Sequence, residues 1–101
     1  MAFVRAARKD EIPAGSIREF QVEGLTVAIA NVGSKFYAVH NTCLHRGGPL
    51  GQGVLQGVAV TCPWHGWQYD VTNGKLVMNQ AIGVKTYKIE VRGEDLWIEP
   101  T

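Results

Sequence analysis

Two short segments of the chain each carry one cysteine and one histidine, Cys43-Leu44-His45 and Cys62-Pro63-Trp64-His65. Cysteine thiolate and neutral imidazole both bind iron and zinc. The sulfur donor precedes the nitrogen donor in both segments, and residues 46–61 separate them. This repeated order predicts a two-metal centre held by two loops, with both cysteines on one metal and both histidines on the other.

A two-iron cluster suits this set of donors. A [2Fe-2S] cluster is ordinarily held by thiolates alone, but one variant replaces the two thiolates on one iron with two imidazoles. Because imidazole is neutral, such a cluster carries less negative charge and accepts an electron more readily than a cluster held only by thiolates. The residues therefore predict a one-electron carrier, and its candidate ligands are Cys43, His45, Cys62 and His65.

Two other interpretations of the same residues stay open. Zinc also accepts two cysteines and two histidines, although zinc modules usually pair cysteine with cysteine and histidine with histidine. A disulfide between Cys43 and Cys62 is the second alternative, and it would leave both histidines and the nearby glycines without a role. The mixed pairs favour ligands spread over two metals.

The longer segments around these pairs, residues 43–50 (CLHRGGPL) and 62–70 (CPWHGWQYD), resemble the two cluster-binding loops of Rieske-type iron–sulfur proteins. The resemblance extends from about Val4 to Glu99. It implies the Rieske fold, in which three antiparallel sheets are stacked and a subdomain of about residues 41–74 holds one [2Fe-2S] cluster. It also implies that the four candidate ligands bind that cluster.

Within the family, the chain is similar to small ferredoxins that pass electrons to ring-hydroxylating oxygenases and to the small subunit of assimilatory nitrite reductases. Respiratory Rieske proteins are less similar, because each of their loops carries an extra cysteine and the two form a disulfide, where this chain has Gly48 and Trp64. The resemblance implies a flavin-dependent or other ferredoxin reductase as electron donor. The acceptor would be a terminal oxygenase or a reductase subunit.

Three residues and one segment bear on how closely the chain follows the family. Tyr69 matches a hydroxyl that bonds to the cluster site, whereas Trp67 stands where respiratory members have a serine. Because that serine would stabilise the reduced cluster, we expect a reduction potential at the low end of the Rieske range. Leu44 replaces a common proline, and residues 79–83 lie where relatives often carry a proline-containing loop that shields the cluster.

The loop glycines are expected to direct backbone N–H groups at the cluster sulfides; they are Gly47, Gly48, Gly51 and Gly53.

Composition limits the other possibilities. At 101 residues the chain is expected to form one domain, residues 1–101. A net charge of +1, with acidic and basic residues mixed along the chain, predicts binding to neither nucleic acid nor an anionic membrane. Two cysteines assigned to a metal, with no signal peptide or long apolar run, predict the reducing cytoplasm. The protein is expected to be a monomer.

Short alternating or β-branched runs between turn residues predict an antiparallel all-β domain. The predicted strands are residues 3–6, 16–22, 25–32, 35–39, 58–61, 68–70, 84–91 and 96–99. Turns are predicted at residues 9–15, 23–24, 33–34, 73–74 and 92–95. No segment has sustained 3.6-residue periodicity, so almost no helix is expected.

The number of histidines separates a carrier from a catalyst. An oxygenase's mononuclear iron needs two histidines and a carboxylate, but only His40 remains once the cluster has its ligands. His40 ends a predicted strand and is interpreted as a packing or surface residue. The chain is therefore expected to be an electron-transfer protein and not an enzyme.

Three hypotheses remain for its role: a free ferredoxin that passes electrons from a reductase to a terminal oxygenase, a redox subunit within a larger enzyme such as nitrite reductase, and a structural or sensory [2Fe-2S] module. The short chain and its complete set of ligands favour the free ferredoxin. A small docking patch is expected around the ligands. Its candidate residues are Leu44, Arg46, Pro49, Trp64 and Trp67. Trp64 and Trp67 could instead pack over the cluster and the core.

Overall fold

The computed structural model of the protein describes residues 3–44, 47–64 and 66–100. In chain order, the strands are β1 (Val4–Arg8), β2 (Ile17–Val22), β3 (Leu25–Val32), β4 (Lys35–His40), β5 (Val54–Gln56), β6 (Ala59–Thr61), β7 (Gln68–Asp70), β8 (Lys75–Leu76), β9 (Asn79–Gly83), β10 (Thr86–Tyr87), β11 (Ile89–Arg92) and β12 (Asp95–Ile98). Two single-turn 3-10 helices, Lys9–Glu11 and Leu50–Gln52, are the only helical segments in the described ranges. None is long and apolar enough to cross a membrane.

Three antiparallel sheets make up the fold. The first has the strand order β1-β12-β11, the second β10-β4-β3-β2, and the third β5-β6-β7-β8-β9. This arrangement confirms the predicted all-β class and the three sheets. The third sheet extends to Gly83, past residue 74, where the predicted subdomain ends.

Two tight hairpins build the second sheet. Glu23 and Gly24 connect β2 to β3 with φ values of 52° and 79°, and Gly33 and Ser34 connect β3 to β4 with φ values of 56° and 76°. Positive φ at both central residues is typical of the type I′ turn, whose twist matches that of the flanking strands. Both predicted turns are confirmed.

The second sheet is the middle layer, and β3 is buried on both of its faces. Val27 and Ile29 belong to the apolar core shared with the first sheet. Ala28 and Ala30 belong to a second core shared with the third sheet, and this core also contains Cys43. Alternate side chains of a strand point to opposite faces, so β3 appears in the sequence as a continuous apolar run.

Alternation also explains how the third sheet faces the second core. Leu55, Val60, Tyr69 and Leu76 occupy successive strands and are all buried, whereas their neighbours along each strand are more exposed. These four side chains line the core in which both cysteines lie. The strands thus bring the two cysteine-bearing segments to one place.

The sequence prediction was wrong for residues 84–91, which do not form one strand. Thr86–Tyr87 pairs with β4 in the second sheet, and Ile89–Arg92 pairs with β12 in the first, because the chain changes sheets at Lys88. The predicted turn at residues 73–74 exists but is longer than a two-residue hairpin. In it, only Gly74 has positive φ, and its N–H bonds to the carbonyl of Asp70 at 2.7 Å. Strands β5, β8 and β9 were not predicted.

Candidate metal centre

Each cysteine lies close behind the end of a strand, Cys62 directly and Cys43 after two intervening residues. Cys43 follows β4, the strand of the second sheet that ends at His40, and Cys62 follows β6, the strand of the third sheet that ends at Thr61. Both cysteines are only 2% exposed. His45 and His65, the predicted nitrogen ligands, lie outside the described residues, as does Arg46.

The first cysteine loop, residues 43–48, is closed by two backbone hydrogen bonds. The N–H of Cys43 donates to the carbonyl of Gly48 at 2.8 Å, and the N–H of Gly47 donates to the carbonyl of Cys43 at 3.0 Å. Gly47 has a φ of 73°, a left-handed conformation that costs glycine little. The loop therefore starts and ends at fixed backbone partners.

The second cysteine loop, residues 62–67, closes in the same way. The N–H of Cys62 donates to the carbonyl of Trp67 at 2.8 Å, and the N–H of Gly66 donates to the carbonyl of Cys62 at 3.1 Å. Gly66 has a φ of 77°. In both loops, therefore, the fourth residue after the cysteine is a left-handed glycine, and the fifth accepts the cysteine's N–H. The sequence signal for this equivalence is the repeated Cys-x-x-x-Gly spacing, which the prediction of the ligands did not use.

The expected role of the loop glycines as donors to cluster sulfides is wrong for three of them. Gly47 donates to the Cys43 carbonyl, Gly51 donates to the side-chain oxygen of Asn41 at 2.7 Å, and Gly53 donates to the carbonyl of Leu50 at 3.0 Å. Their N–H groups are used to shape the loop, because the tight turns leave these donors facing nearby backbone and side-chain acceptors.

Gly48 has a different reason to be glycine. A Cβ atom at this position would lie 2.6 Å from the Sγ of Cys62 and 3.1 Å from the Cγ of Trp64. Real Cβ atoms do not approach other heavy atoms as closely as that first distance. The backbone of the first cysteine loop thus lies directly against the cysteine of the second, and only glycine leaves room for the sulfur.

Tyr69, on β7 of the third sheet, contacts the first cysteine loop. Its hydroxyl oxygen accepts a hydrogen bond from the N–H of Leu44 at 3.0 Å and lies 3.2 Å from the Sγ of Cys43. The side chain is completely buried. Since the phenol oxygen already accepts from the N–H of Leu44, its own O–H can donate to the sulfur of Cys43. A thiolate bound to a metal carries no proton, so in this contact it would be the acceptor. The predicted hydroxyl at the cluster site is confirmed.

Burial favours the protonated form of the Cys62 thiol. Burial raises the pKa of the Cys62 thiol, a hydrogen bond from the backbone N–H of Trp64 opposes this rise, and the adjacent Cys43 side chain adds to it. Burial is also the main cause of a raised pKa at Tyr69. A buried thiol of raised pKa keeps its proton until a cation replaces it, so metal binding here would release protons.

The described residues fit a metal cluster. Two buried thiols from two loops interact with each other, and a glycine backbone next to Cys62 leaves space where a side chain would intrude. The alternative of a disulfide between Cys43 and Cys62 is wrong, because the two cysteines are not bonded to each other.

Asn41, two residues before Cys43, connects the 3-10 helix Leu50–Gln52 to the second sheet. Its side-chain nitrogen donates to Glu19 on β2 at 2.7 Å, and its side-chain oxygen accepts from Gly51. Its carbonyl accepts from the N–H of Leu50 at 2.7 Å. Asn41 is buried, so these bonds are sheltered from water. Asn41 was not among the predicted site residues, because its partners are distant in the sequence.

The other predicted positions differ in exposure. Leu44 and Trp64 are each 53% exposed, Pro49 is half-buried, and Trp67 packs against the second core, as the alternative interpretation of Trp67 held. Residues 79–83 form the edge strand β9 and are exposed throughout. His40 ends β4, and its Nδ1 lies 3.5 Å from the Tyr87 hydroxyl.

Known proteins are similar to this chain over most of its length. The family model described as "Rieske [2Fe-2S] domain" matches residues 2–88. The ferredoxin component of the naphthalene 1,2-dioxygenase system of Pseudomonas aeruginosa is 31% identical over 90 residues, which are 88% of this chain and 86% of that relative.

Two solved structures extend the comparison. The ferredoxin of carbazole 1,9a-dioxygenase from Nocardioides aromaticivorans IC177 is 28% identical, with a TM-score of 0.91 and complete coverage of both chains. A complex of reduced oxygenase and oxidized ferredoxin in carbazole 1,9a-dioxygenase contains a chain that is 26% identical, with a TM-score of 0.84, covering 95% of this chain and 91% of that one.

Proposed function

The chain belongs to the Rieske [2Fe-2S] domain family, and on that basis we propose that Cys43, His45, Cys62 and His65 hold its single cluster. The observation that carries the proposal is the meeting of two buried cysteine thiols at the ends of two loops with the same closure. The family's cluster is a [2Fe-2S] centre, which decides against zinc as the resident metal. Bound at this site, the cluster supplies one reversible one-electron couple.

The protein is a Rieske-type ferredoxin, an electron carrier and not a catalyst, like the ferredoxin components it resembles. Its own residues fix the ligand sulfurs and limit water. Cys43 and Cys62 are anchored through their backbone N–H and carbonyl groups, and Tyr69 is placed to donate to the Cys43 sulfur. Ligands held in fixed positions move little between oxidation states, so the reorganisation energy of electron transfer stays small.

We propose that electrons arrive from a flavin-dependent or other ferredoxin reductase and leave to a terminal oxygenase. Support comes from the dioxygenase systems named for the relatives, including an oxygenase–ferredoxin complex. Leu44 and Trp64, one from each cysteine loop, are the large exposed apolar side chains within the described part of these loops. A small apolar patch of this kind suits a transient complex, in which the carrier must leave after each transfer.

We also propose that residues 1–101 act as one domain and one monomer in the cytoplasm. Two reduced cysteines at the site suit a reducing compartment. Sedimentation of the purified holoprotein at micromolar concentration tests the monomer. A dimer under these conditions would overturn that part of the proposal.

Iron and acid-labile sulfide analysis, with EPR of the reduced protein, tests the cluster itself. His45→Ala and His65→Ala should each lose it, whereas His40→Ala, the matched control, should keep it. Zinc without sulfide in the wild-type protein, or cluster loss in His40→Ala alone, would contradict the ligand assignment.

Electron delivery is tested separately from cluster binding. The wild-type protein, purified by itself, should be reduced by a ferredoxin reductase and reoxidised by a Rieske-type terminal oxygenase. Isolation only as a subunit of a larger reductase would favour the nitrite reductase alternative, and a cluster without a reversible redox couple would favour a structural or sensory module.

A further inference from the structure

Within the described part of the second cysteine loop, Cys62 and Trp64 both lie against Gly48 of the first. A Cβ atom on Gly48 would lie 3.1 Å from the Cγ and 3.2 Å from the Cβ of Trp64. The side chain of Trp64 therefore packs close to the backbone of Gly48, and a Cβ atom there would be tighter against Trp64 than an ordinary contact. Gly48 is buried at this contact, although 53% of Trp64 stays exposed.

The same contact includes a ligand sulfur. The Cβ position of Gly48 lies 2.6 Å from the Sγ of Cys62, and the backbone N–H of Trp64 donates a hydrogen bond to the Cys62 sulfur. Trp64 thus reaches Cys62 through its backbone and the opposite loop through its ring. We propose that Trp64 is a positioning residue that ties the two cysteine loops together across Gly48 and so fixes Cys62 relative to Cys43. This inference rests on the proposed cluster site.

The need for such a tie follows from the fold. The first cysteine loop extends from β4 in the second sheet, and the second extends from β6 in the third sheet. The separation of the two cysteines would otherwise depend on how two packed layers sit against each other. Tyr69, fully buried, joins its own sheet to Cys43 and Leu44 on the core side. Trp64 makes the second connection on the exposed side of the site.

A simpler role for Trp64 would be to cover the cluster with apolar surface. Leu44 separates the two ideas, because it belongs to the other cysteine loop and has the same exposed fraction as Trp64. If Trp64 only shields the cluster with apolar surface, removing either side chain should speed cluster loss to a similar extent. If the contact with Gly48 matters, Trp64 should be far more sensitive, and an aromatic replacement should preserve its effect.

The experiment uses holoprotein of the wild type and of Trp64→Ala, Trp64→Phe and Leu44→Ala. Cluster loss in excess chelator is followed by visible absorbance, and the reduced proteins are compared by EPR. We expect Trp64→Ala to lose its cluster roughly tenfold faster, because an aromatic contact is removed from the loops. Its EPR line shape should also change. Trp64→Phe and Leu44→Ala should stay within about twofold of the wild-type rate, since neither loses that contact.

Each outcome decides the matter. Cluster loss from Trp64→Ala at the wild-type rate would overturn the proposal, as would equally fast loss from Leu44→Ala or no rescue by Trp64→Phe. Purification of Trp64→Ala without its cluster, while Leu44→Ala keeps its own, would be the extreme form of the expected result. Purification of both Trp64→Ala and Leu44→Ala without a cluster would contradict the proposal. Iron and sulfide in the wild type are measured first, so an error in the ligand assignment is detected independently.

Discussion

Replacing Tyr69 with phenylalanine should lower the reduction potential of the cluster. The change removes only the hydroxyl, which lies 3.2 Å from the Sγ of Cys43 and accepts from the N–H of Leu44. Because Tyr69 is completely buried, water has no direct access to take the place of the lost group. Reduction adds negative charge to the cluster and its ligands, so a donor to the Cys43 sulfur stabilises the reduced state more than the oxidised one.

The size of the effect follows from the strength of that hydrogen bond. A hydrogen bond to a charged group contributes about 1.5–3 kcal/mol, and part of this is present in both oxidation states. If roughly half distinguishes them, the difference is about 0.8–1.5 kcal/mol, which for a one-electron couple is roughly 30–60 mV. The potential of Tyr69→Phe should therefore fall by an amount of this order. The N–H of Leu44 also loses its acceptor, at a cost of about 1 kcal/mol in folding free energy.

Protein-film voltammetry measures the shift, and Tyr87→Phe is the matched control. Tyr87 is also a buried tyrosine, but its hydroxyl lies 3.5 Å from His40 Nδ1 and contacts neither cysteine. Its variant should keep the wild-type potential. An unchanged or raised potential in Tyr69→Phe would refute the reasoning, and so would an equal fall in Tyr87→Phe.

Three other substitutions test the site. Gly48→Ala places a methyl group against the Cys62 sulfur, so overpacking of about 1–3 kcal/mol should lower the iron content of the purified protein; wild-type occupancy would contradict this. Asn41→Asp keeps an acceptor for the N–H of Gly51 but sets a carboxylate against Glu19, so the Tm should fall at neutral pH and partly recover in mild acid, where one carboxyl is protonated. A pH-independent Tm difference would exclude this repulsion. His45→Cys exchanges a neutral donor for an anion, and voltammetry of cluster-retaining protein should give a lower potential; a rise would argue against His45 as a ligand.

Local turn chemistry made part of the fold predictable. The pairs Glu23-Gly24 and Gly33-Ser34 lie between clear strand patterns, and both form the expected tight hairpins. Strands β8 and β9 gave no such signal, since β8 has two residues and β9 is exposed along its whole length. Alternation predicts a strand only when one face is buried. Residues 84–91 alternate as one strand, but pairing with two different sheets divides them.

Some residues of the candidate site could likewise be predicted from local sequence, whereas others depend on contacts between residues far apart in the chain. Metal ligation restricts residue types, so the cysteine and histidine pairs can be recognised from the sequence alone. The contact of Tyr69 with Cys43 spans 26 positions and was expected only from the family resemblance. The packing of Trp64 on Gly48 depends on how two sheets bring two loops together, and no local pattern encodes that distance.

The two loops differ in the number of residues between cysteine and histidine, and an alignment of their backbones shows where the extra residue lies. Matching each cysteine and its left-handed glycine aligns Gly47 with Gly66. In that alignment His45 and Trp64 occupy the same loop position, two residues after the cysteine, whereas His65 comes one residue later. The extra residue between Cys62 and His65 is therefore the one that contacts Gly48. A loop with the shorter spacing would carry a ligand at that position and could not use it to hold the other loop.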